Sequence, residues 1–152
     1  MLDTTTGAVP QNRTARLLLT LTVIELTVVT AYIHLTLGGM LFTLNGLGYL
    51  GLAALYATTV VSRPAIVRRF DWVARVALAA YTLVTIAAYL VIGPHFDLGW
   101  ITKGIEVAIV TLVAVDVLST YGSAGGLVSA ALESLGLRRR VLRRPAEAIR
   151  VE

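Results

Sequence analysis

The sequence has no cysteine and is poor in charged residues. Only 14% of its 152 residues are charged, whereas soluble domains carry about a quarter. With 57% apolar residues, too little polar surface remains for a soluble domain of this size. The lack of cysteine excludes disulfides, cysteine-ligated iron-sulfur clusters and thiol catalysis. The composition therefore favours an integral membrane protein.

Motifs of soluble enzymes are also missing. The sequence contains no glycine-rich phosphate loop, no nucleophile elbow and no HExxH metal signature, so it does not favour an enzyme and predicts no metal site. The net charge of +4 is carried by arginines that flank apolar runs. The acidic partner that this pattern predicts is an anionic lipid head group, and not nucleic acid.

Four long apolar runs dominate what is present. They cover residues 17–37, 40–61, 72–92 and 101–119, and each is close to the roughly 20 residues that cross a bilayer as a helix. These runs predict an all-α integral membrane protein whose transmembrane domain, residues 16–120, is a four-transmembrane-helix bundle. Residues 1–15 are predicted to be a flexible tail. Residues 121–152 are predicted to form a short amphipathic helix on the cytoplasmic membrane surface, followed by a basic segment.

The arginines predict an orientation in the cell or inner membrane. Twelve of the thirteen basic residues fall in three stretches on one side of the predicted bundle: Arg13 and Arg16; Arg63, Arg68, Arg69 and Arg75; and Arg138, Arg139, Arg140, Arg143, Arg144 and Arg150. By the positive-inside rule both termini are cytoplasmic. We expect the cluster from Arg138 to Arg144 to contact lipid head groups. Trp72 and Trp100 start the third and fourth runs and are predicted to be interface anchors.

Ionisable residues inside the apolar runs are the informative chemistry, because a charge at mid-membrane costs at least about 2.5 to 3.5 kcal/mol. They are Glu25, His34, Lys103, Glu106 and Asp116. Counting from the outer helix ends places His34, Asn45 and Glu106 at a similar shallow depth, with Lys103 one turn from Glu106. The four residues His34, Asn45, Lys103 and Glu106 form a candidate intramembrane cluster. The structural alternative is that Lys103 and Glu106 neutralise each other while His34 bonds to a carbonyl or hydroxyl group.

The first run carries a second polar face. Glu25 and His34 are nine residues apart and therefore point to nearly opposite sides of a helix. Glu25 shares its side with Tyr32, and one small bundle cannot easily bury both sides. The pattern predicts a homo-oligomer or association with other membrane subunits.

The two histidines of the sequence allow two cofactors, haem b and a quinone. His34 and His95 would both lie near the outer surface, where they could ligate haem b. A quinone could instead contact His34, Tyr89, His95 and Asp97. The four-span outline resembles the haem-carrying anchor subunits of respiratory enzymes, in topology alone.

Three functions follow as expectations. The leading one is a non-catalytic membrane subunit or assembly partner of a larger or homo-oligomeric complex. The first alternative is a small oligomeric transporter or channel that moves protons, ions or a small solute. The second alternative is a haem-binding or quinone-binding membrane anchor subunit.

Overall fold

The computed structural model describes residues 13–59 and 69–137, which fold into five helices. They are α1 (Arg13–Leu37), α2 (Met40–Ala57), α3 (Asp71–Ile92), α4 (Asp97–Tyr121) and α5 (Ala124–Ser134). The predicted all-α class is confirmed. The predicted amino-terminal tail up to residue 12, Arg63, Arg68 and the arginines from Arg138 onward lie outside the described residues.

Three of the described helices, α1, α2 and α3, are long and apolar enough to cross a membrane. Their outward faces are apolar: Met40 is 80% exposed and Val91 is 81% exposed. A water-soluble protein rarely exposes so many large apolar side chains, so the predicted membrane character is supported. Helix α4 is 25 residues long and is not among these three candidates. It carries Asp97, Lys103, Glu106 and Asp116.

Two short connections reverse the chain at one end of the bundle. Gly38 and Gly39 join α1 to α2 with φ angles of 72° and 84°, which glycine adopts without a steric penalty. The segment 93–96 joins α3 to α4. We call this end the hairpin end, and the opposite end, with Arg13, Asp71 and Tyr121, the terminal end.

The first four helices pack as a ring, in which each helix contacts the next and α4 returns to α1. Helices α1 and α2 pack closely at Gly46, where an added Cβ would meet the Ala31 carbonyl oxygen at 2.9 Å. The buried apolar core runs along the axis of the ring. Its fully or almost fully buried members are Val23, Ala31, Tyr49, Tyr56, Ala74, Leu78, Ile109 and Val113.

Helix α5 is fastened to the start of α3 at the terminal end. Gly122, at φ 74°, ends α4, and the Ser123 hydroxyl accepts a hydrogen bond from the Gly126 amide to cap α5. At the far end of α5, the Trp72 indole N–H donates to the Ser134 hydroxyl at 2.9 Å, and Arg69 Nε donates to the Ser134 carbonyl at 2.8 Å. Trp72 thus helps to hold the end of α5 against α3, while its role as an interface anchor stays a prediction.

Candidate functional site

A polar cluster at the hairpin end joins all four long helices. We call it the hairpin-end cluster; it consists of His34, Tyr49, Thr85, Lys103 and Glu106. Glu106 is 0% exposed, and its Oε2 accepts from Lys103 Nζ at 2.5 Å and from the Thr85 hydroxyl at 3.1 Å. Tyr49 extends the cluster to α2, because its hydroxyl lies 2.7 Å from the Thr85 hydroxyl. The Lys103 and Glu106 ion pair that their spacing predicts is thus present, with partners that the spacing does not reveal.

The second carboxylate oxygen of Glu106 faces a histidine nitrogen. His34 Nδ1 lies 2.8 Å from the Thr30 carbonyl, which can only accept, so Nδ1 carries a proton. A neutral His34 therefore presents a lone pair at Nε2, which lies 3.7 Å from Glu106 Oε1. Glu106 Oε1 is buried and has no hydrogen-bond partner among the described residues. Two facing acceptors repel each other, so one additional proton on His34 or Glu106 would convert this repulsion into attraction.

Asn45 lies beside this cluster without bonding to it. Its Oδ1 accepts from the Tyr81 hydroxyl at 2.7 Å, and its backbone carbonyl accepts from the same hydroxyl at 3.2 Å. The depth that the sequence predicts brings Asn45 near His34 and Lys103, since all three line one cavity of about 440 Å³. Because of its position around the axis of α2, the side-chain amide of Asn45 faces α3.

A second polar cluster joins the four helices at the terminal end. We call it the terminal-end cluster; its main members are Tyr56, Asp71, Arg75, Asp116 and Tyr121. Asp116 Oδ2 accepts from Arg75 Nε at 2.7 Å and from the Tyr56 hydroxyl at 2.5 Å. Arg75 also lies 3.2 Å from Asp71 Oδ2, and the Tyr121 hydroxyl donates to Asp71 Oδ1 at 2.6 Å.

This cluster reaches α1 through a weaker arm. Thr120 accepts from Arg16 at 3.0 Å and lies 3.4 Å from Asp116 Oδ1. Through direct contacts or one intervening hydroxyl, both buried carboxylates of α4, Glu106 and Asp116, are therefore linked to the other three long helices.

Sequence reasoning missed the role of Arg75. The positive-inside pattern groups Arg75 with the arginines between the second and third runs. In the structure, however, Arg75 lies in the second turn of α3 and is only 4% exposed. The sequence signal that could have predicted this role is Asp116. In an antiparallel pair, the start of α3 lies beside the end of α4, so a buried aspartate there requires a cation at the depth of Arg75.

An apolar layer separates the two clusters. Ile109 and Val113 lie between Glu106 and Asp116 on α4, and both are buried. Val23, Ala53 and Leu78 occupy the corresponding depth on the other helices and are also buried. Within the described residues, the two polar clusters are thus separate sites and not one continuous polar path.

Glu25 and Tyr32 lie on the outside of the bundle, opposite the buried Thr27, Thr30 and His34. Tyr32 is 67% exposed. Glu25 makes no hydrogen bond or ion pair with the described residues. Of the two faces that the sequence predicts for α1, the face with His34 is therefore buried in the bundle, and the face with Glu25 is directed outward.

The two histidines predicted as possible haem ligands contact different aromatic rings. The His34 ring contacts Phe42 and Tyr49, whereas the His95 ring stacks on Trp100 at 5.6 Å and meets Tyr89 at 5.3 Å. No ring contact joins the two histidines, and no group of three or more metal-ligating side chains occurs in residues 13–59 and 69–137. Asp97 lies in the first turn of α4. Haem ligation by His34 and His95 stays a prediction.

Trp100, predicted as an interface anchor, belongs to this aromatic group, because its ring meets Tyr89 edge-on at 5.5 Å. Lys103 Nζ lies 5.3 Å from the centroid of the same Tyr89 ring. The aromatic group thus adjoins the hairpin-end cluster. It covers that cluster toward the hairpin end of the bundle.

Comparisons with protein-family models, curated proteins and solved structures give no match to this chain.

We expect Glu106→Leu to destabilise the fold far more than Glu106→Gln. Leucine leaves Lys103 and Thr85 without their shared acceptor, and it leaves the Lys103 charge buried and unpaired, which should cost about 3 to 5 kcal/mol. Glutamine keeps a carbonyl oxygen for Lys103 and adds an N–H₂ group that can donate to His34 Nε2, so about half of that loss should be recovered. Unfolding in mild detergent by titration with a denaturing detergent measures both. Equal stability of the two variants would show that Glu106 is solvated and not held in the cluster.

Proposed function

We propose that this chain is a small polytopic membrane protein that acts as a non-catalytic membrane subunit, assembled with further copies of itself or with other membrane subunits through α1. The observation that carries the proposal is Glu25. It is the middle residue of the 25 that form α1, about 18 Å along the helix axis from either end, and it is exposed.

A glutamate at this position is too short to reach the aqueous phase. A charged group that faces lipid at the centre of a bilayer costs several kcal/mol, whereas an interhelical hydrogen bond there stabilises association by about 1 to 2 kcal/mol. Thr22, Val29, Tyr32 and Thr36 share the exposed side of α1 with Glu25. The proposed contact is therefore a mixed polar and apolar stripe along one helix.

A second copy of the chain fits this stripe. Two copies inserted in the same direction would place their α1 helices parallel, with the two Glu25 carboxyl groups at the same depth. One shared proton would then let one carboxyl group donate to the other. Thr22 lies almost one turn away and offers a further hydroxyl.

The membrane layout belongs to the same proposal. Four spans, with α4 as the fourth, would bury Lys103, Glu106 and Asp116 between the other helices, where each of these charges has a partner. Arg13, Arg16 and Arg69 lie at the terminal end, while Lys103 lies toward the hairpin end. By the positive-inside rule the terminal end, with both termini and the basic segment beyond α5, is cytoplasmic and faces anionic lipid head groups.

Glu25→Leu should weaken assembly by roughly 1 to 2 kcal/mol, because the interhelical hydrogen bond is lost while the monomer no longer exposes a carboxylate to lipid. Resonance energy transfer between fluorescently labelled copies in vesicles measures this loss of assembly, when added lipid is used to dilute the protein. Val29→Trp should also weaken assembly by its bulk. Val107→Trp, on the exposed side of α4, is the matched control and should leave assembly unchanged.

Three outcomes decide the assignment. Self-association of the pure chain that Glu25→Leu weakens identifies the partner as a second copy. The partner is a different membrane subunit if the pure chain is monomeric, another subunit co-purifies with the chain under mild conditions, and Glu25→Leu abolishes this co-purification. A chain that stays monomeric and carries no partner in either preparation contradicts the proposal.

Proton transport is the second candidate function, and one observation favours it. His34 Nε2 and Glu106 Oε1 face each other across 3.7 Å and can hold one proton between them. The apolar layer around Ile109 and Val113 argues against transport by a single copy, since protons would need a path to the terminal end.

Transport and a purely structural cluster respond differently to Glu106→Gln. If the cluster moves protons, reconstituted vesicles should lose a chain-dependent proton flux with Glu106→Gln while the protein stays folded, because glutamine cannot exchange a proton. Vesicles with Val107→Trp are the control. A native chain that conducts no protons above empty vesicles would contradict this second candidate.

A further inference from the structure

The hairpin end contains a cavity of about 440 Å³ that the proposed assembly through α1 does not use. Helices α2 and α3 supply most of its wall, and the most exposed large apolar residues of the lining are Ile92, Leu41 and Val84, at 79%, 72% and 66%. All three belong to helices that could cross a membrane. The cavity therefore opens sideways, toward the hydrocarbon, between α2 and α3.

The wall changes from apolar to polar toward the centre of the bundle. Apolar side chains such as Leu44, Ala88 and Ile92 dominate the lining near the opening. His34, Asn45, Thr85 and Lys103 form the polar part of the lining. A large apolar cavity with a few convergent polar groups has the general form of a small-molecule site, and its volume falls within the usual range of about 300 to 1,000 Å³.

Two hydrogen-bond donors remain available on this polar wall. Lys103 Nζ has three protons, of which one bonds to Glu106 Oε2 at 2.5 Å and a second reaches the Thr85 carbonyl at 3.5 Å. Asn45 accepts at Oδ1 from Tyr81, so its N–H₂ group is left to donate. The wall therefore offers protons to an oxygen acceptor.

The charge of the wall selects an uncharged acceptor. Lys103 and Glu106 already neutralise each other, so a carboxylate or phosphate in the cavity would add a charge without a counter-ion in an apolar surrounding. A carbonyl oxygen accepts from an ammonium or amide group without that penalty. The geometry points to a binding site for a lipid-soluble molecule that carries an uncharged carbonyl head and enters from the membrane between α2 and α3.

Two sources offer this chemistry: a quinone ring and the ester of a neutral lipid. The test uses the full chain in phosphatidylcholine nanodiscs, with decylubiquinone and monodecanoylglycerol as the two carbonyl probes in calorimetric titrations. Decylbenzene, which has a similar tail and no carbonyl, and decanoate, which carries a charge, are the comparison compounds. We expect saturable binding of at least one carbonyl probe, at least ten-fold tighter than either comparison compound.

Neighbouring alanines provide the matched variants. Ala88 lines the cavity and Ala87, also exposed, does not. Ala88→Phe should abolish binding by filling the cavity, while Ala87→Phe should bind as the native chain does. Lys103→Met should weaken binding about ten-fold, the usual effect of losing a hydrogen bond to a charged donor, and Lys103→Arg should retain it.

The result separates the proposal from its alternatives. Binding of only the quinone, or of only the ester, identifies the source of the carbonyl. The proposal is overturned if no carbonyl probe binds saturably, if decylbenzene or decanoate binds equally well, or if Ala88→Phe and Ala87→Phe behave alike. Should Lys103→Met fail to fold, the pair of alanine variants still decides. None of these outcomes bears on assembly through Glu25.

Discussion

Two buried carboxylates on α4, those of Glu106 and Asp116, set the conditions that the other helices must meet. A charge in an apolar surrounding has to be paired. Asp116 pairs with Arg75 of α3, whereas Glu106 pairs with Lys103 of its own helix and accepts a hydrogen bond from Thr85 of α3. Ten residues separate Glu106 from Asp116 on α4, and ten separate Arg75 from Thr85 on α3. Because the two helices run antiparallel, these matched intervals fix how far one can slide along the other.

The ion pairs and hydrogen bonds of the two clusters use most of the hydrogen-bonding capacity of the buried polar side chains. The terminal-end cluster is closed, since Asp71, Arg75 and Asp116 satisfy one another and the tyrosines complete them. Inside the bundle, Glu106 Oε1 and the Thr30 hydroxyl have no hydrogen-bond partner among the described residues. Two further groups are open to the surroundings: the outward carboxylate of Glu25, and the donors of Lys103 and Asn45 beside the cavity. A partner helix suits the first and a lipid-soluble carbonyl compound suits the second, so assembly and ligand binding occupy different surfaces of one scaffold.

Sequence patterns predict the helices and local pairs well because both depend on short-range geometry. The apolar runs lead to α1, α2 and α3, and a spacing of three residues leads to the Lys103 and Glu106 pair. The pairing of Arg75 with Asp116 depends on how α3 and α4 are rotated and shifted against each other, which no local pattern records. For the same reason the depth of Asn45 could be predicted, but its bond to Tyr81 could not.

The measurement that tests this account most directly is a double-mutant cycle on Arg75 and Asp116. The free energy of unfolding in mild detergent is compared for Arg75→Leu, Asp116→Leu and the double variant. Arg75→Leu leaves the buried Asp116 without its cation, and Asp116→Leu leaves the buried Arg75 with only the partly exposed Asp71. Each single substitution should therefore cost about 3 to 5 kcal/mol, whereas the double substitution removes both buried charges and should cost at least about 2 kcal/mol less than the sum. Additive costs, or single substitutions that cost less than about 1 kcal/mol, would contradict the claim that the buried carboxylates of α4 hold the helices together.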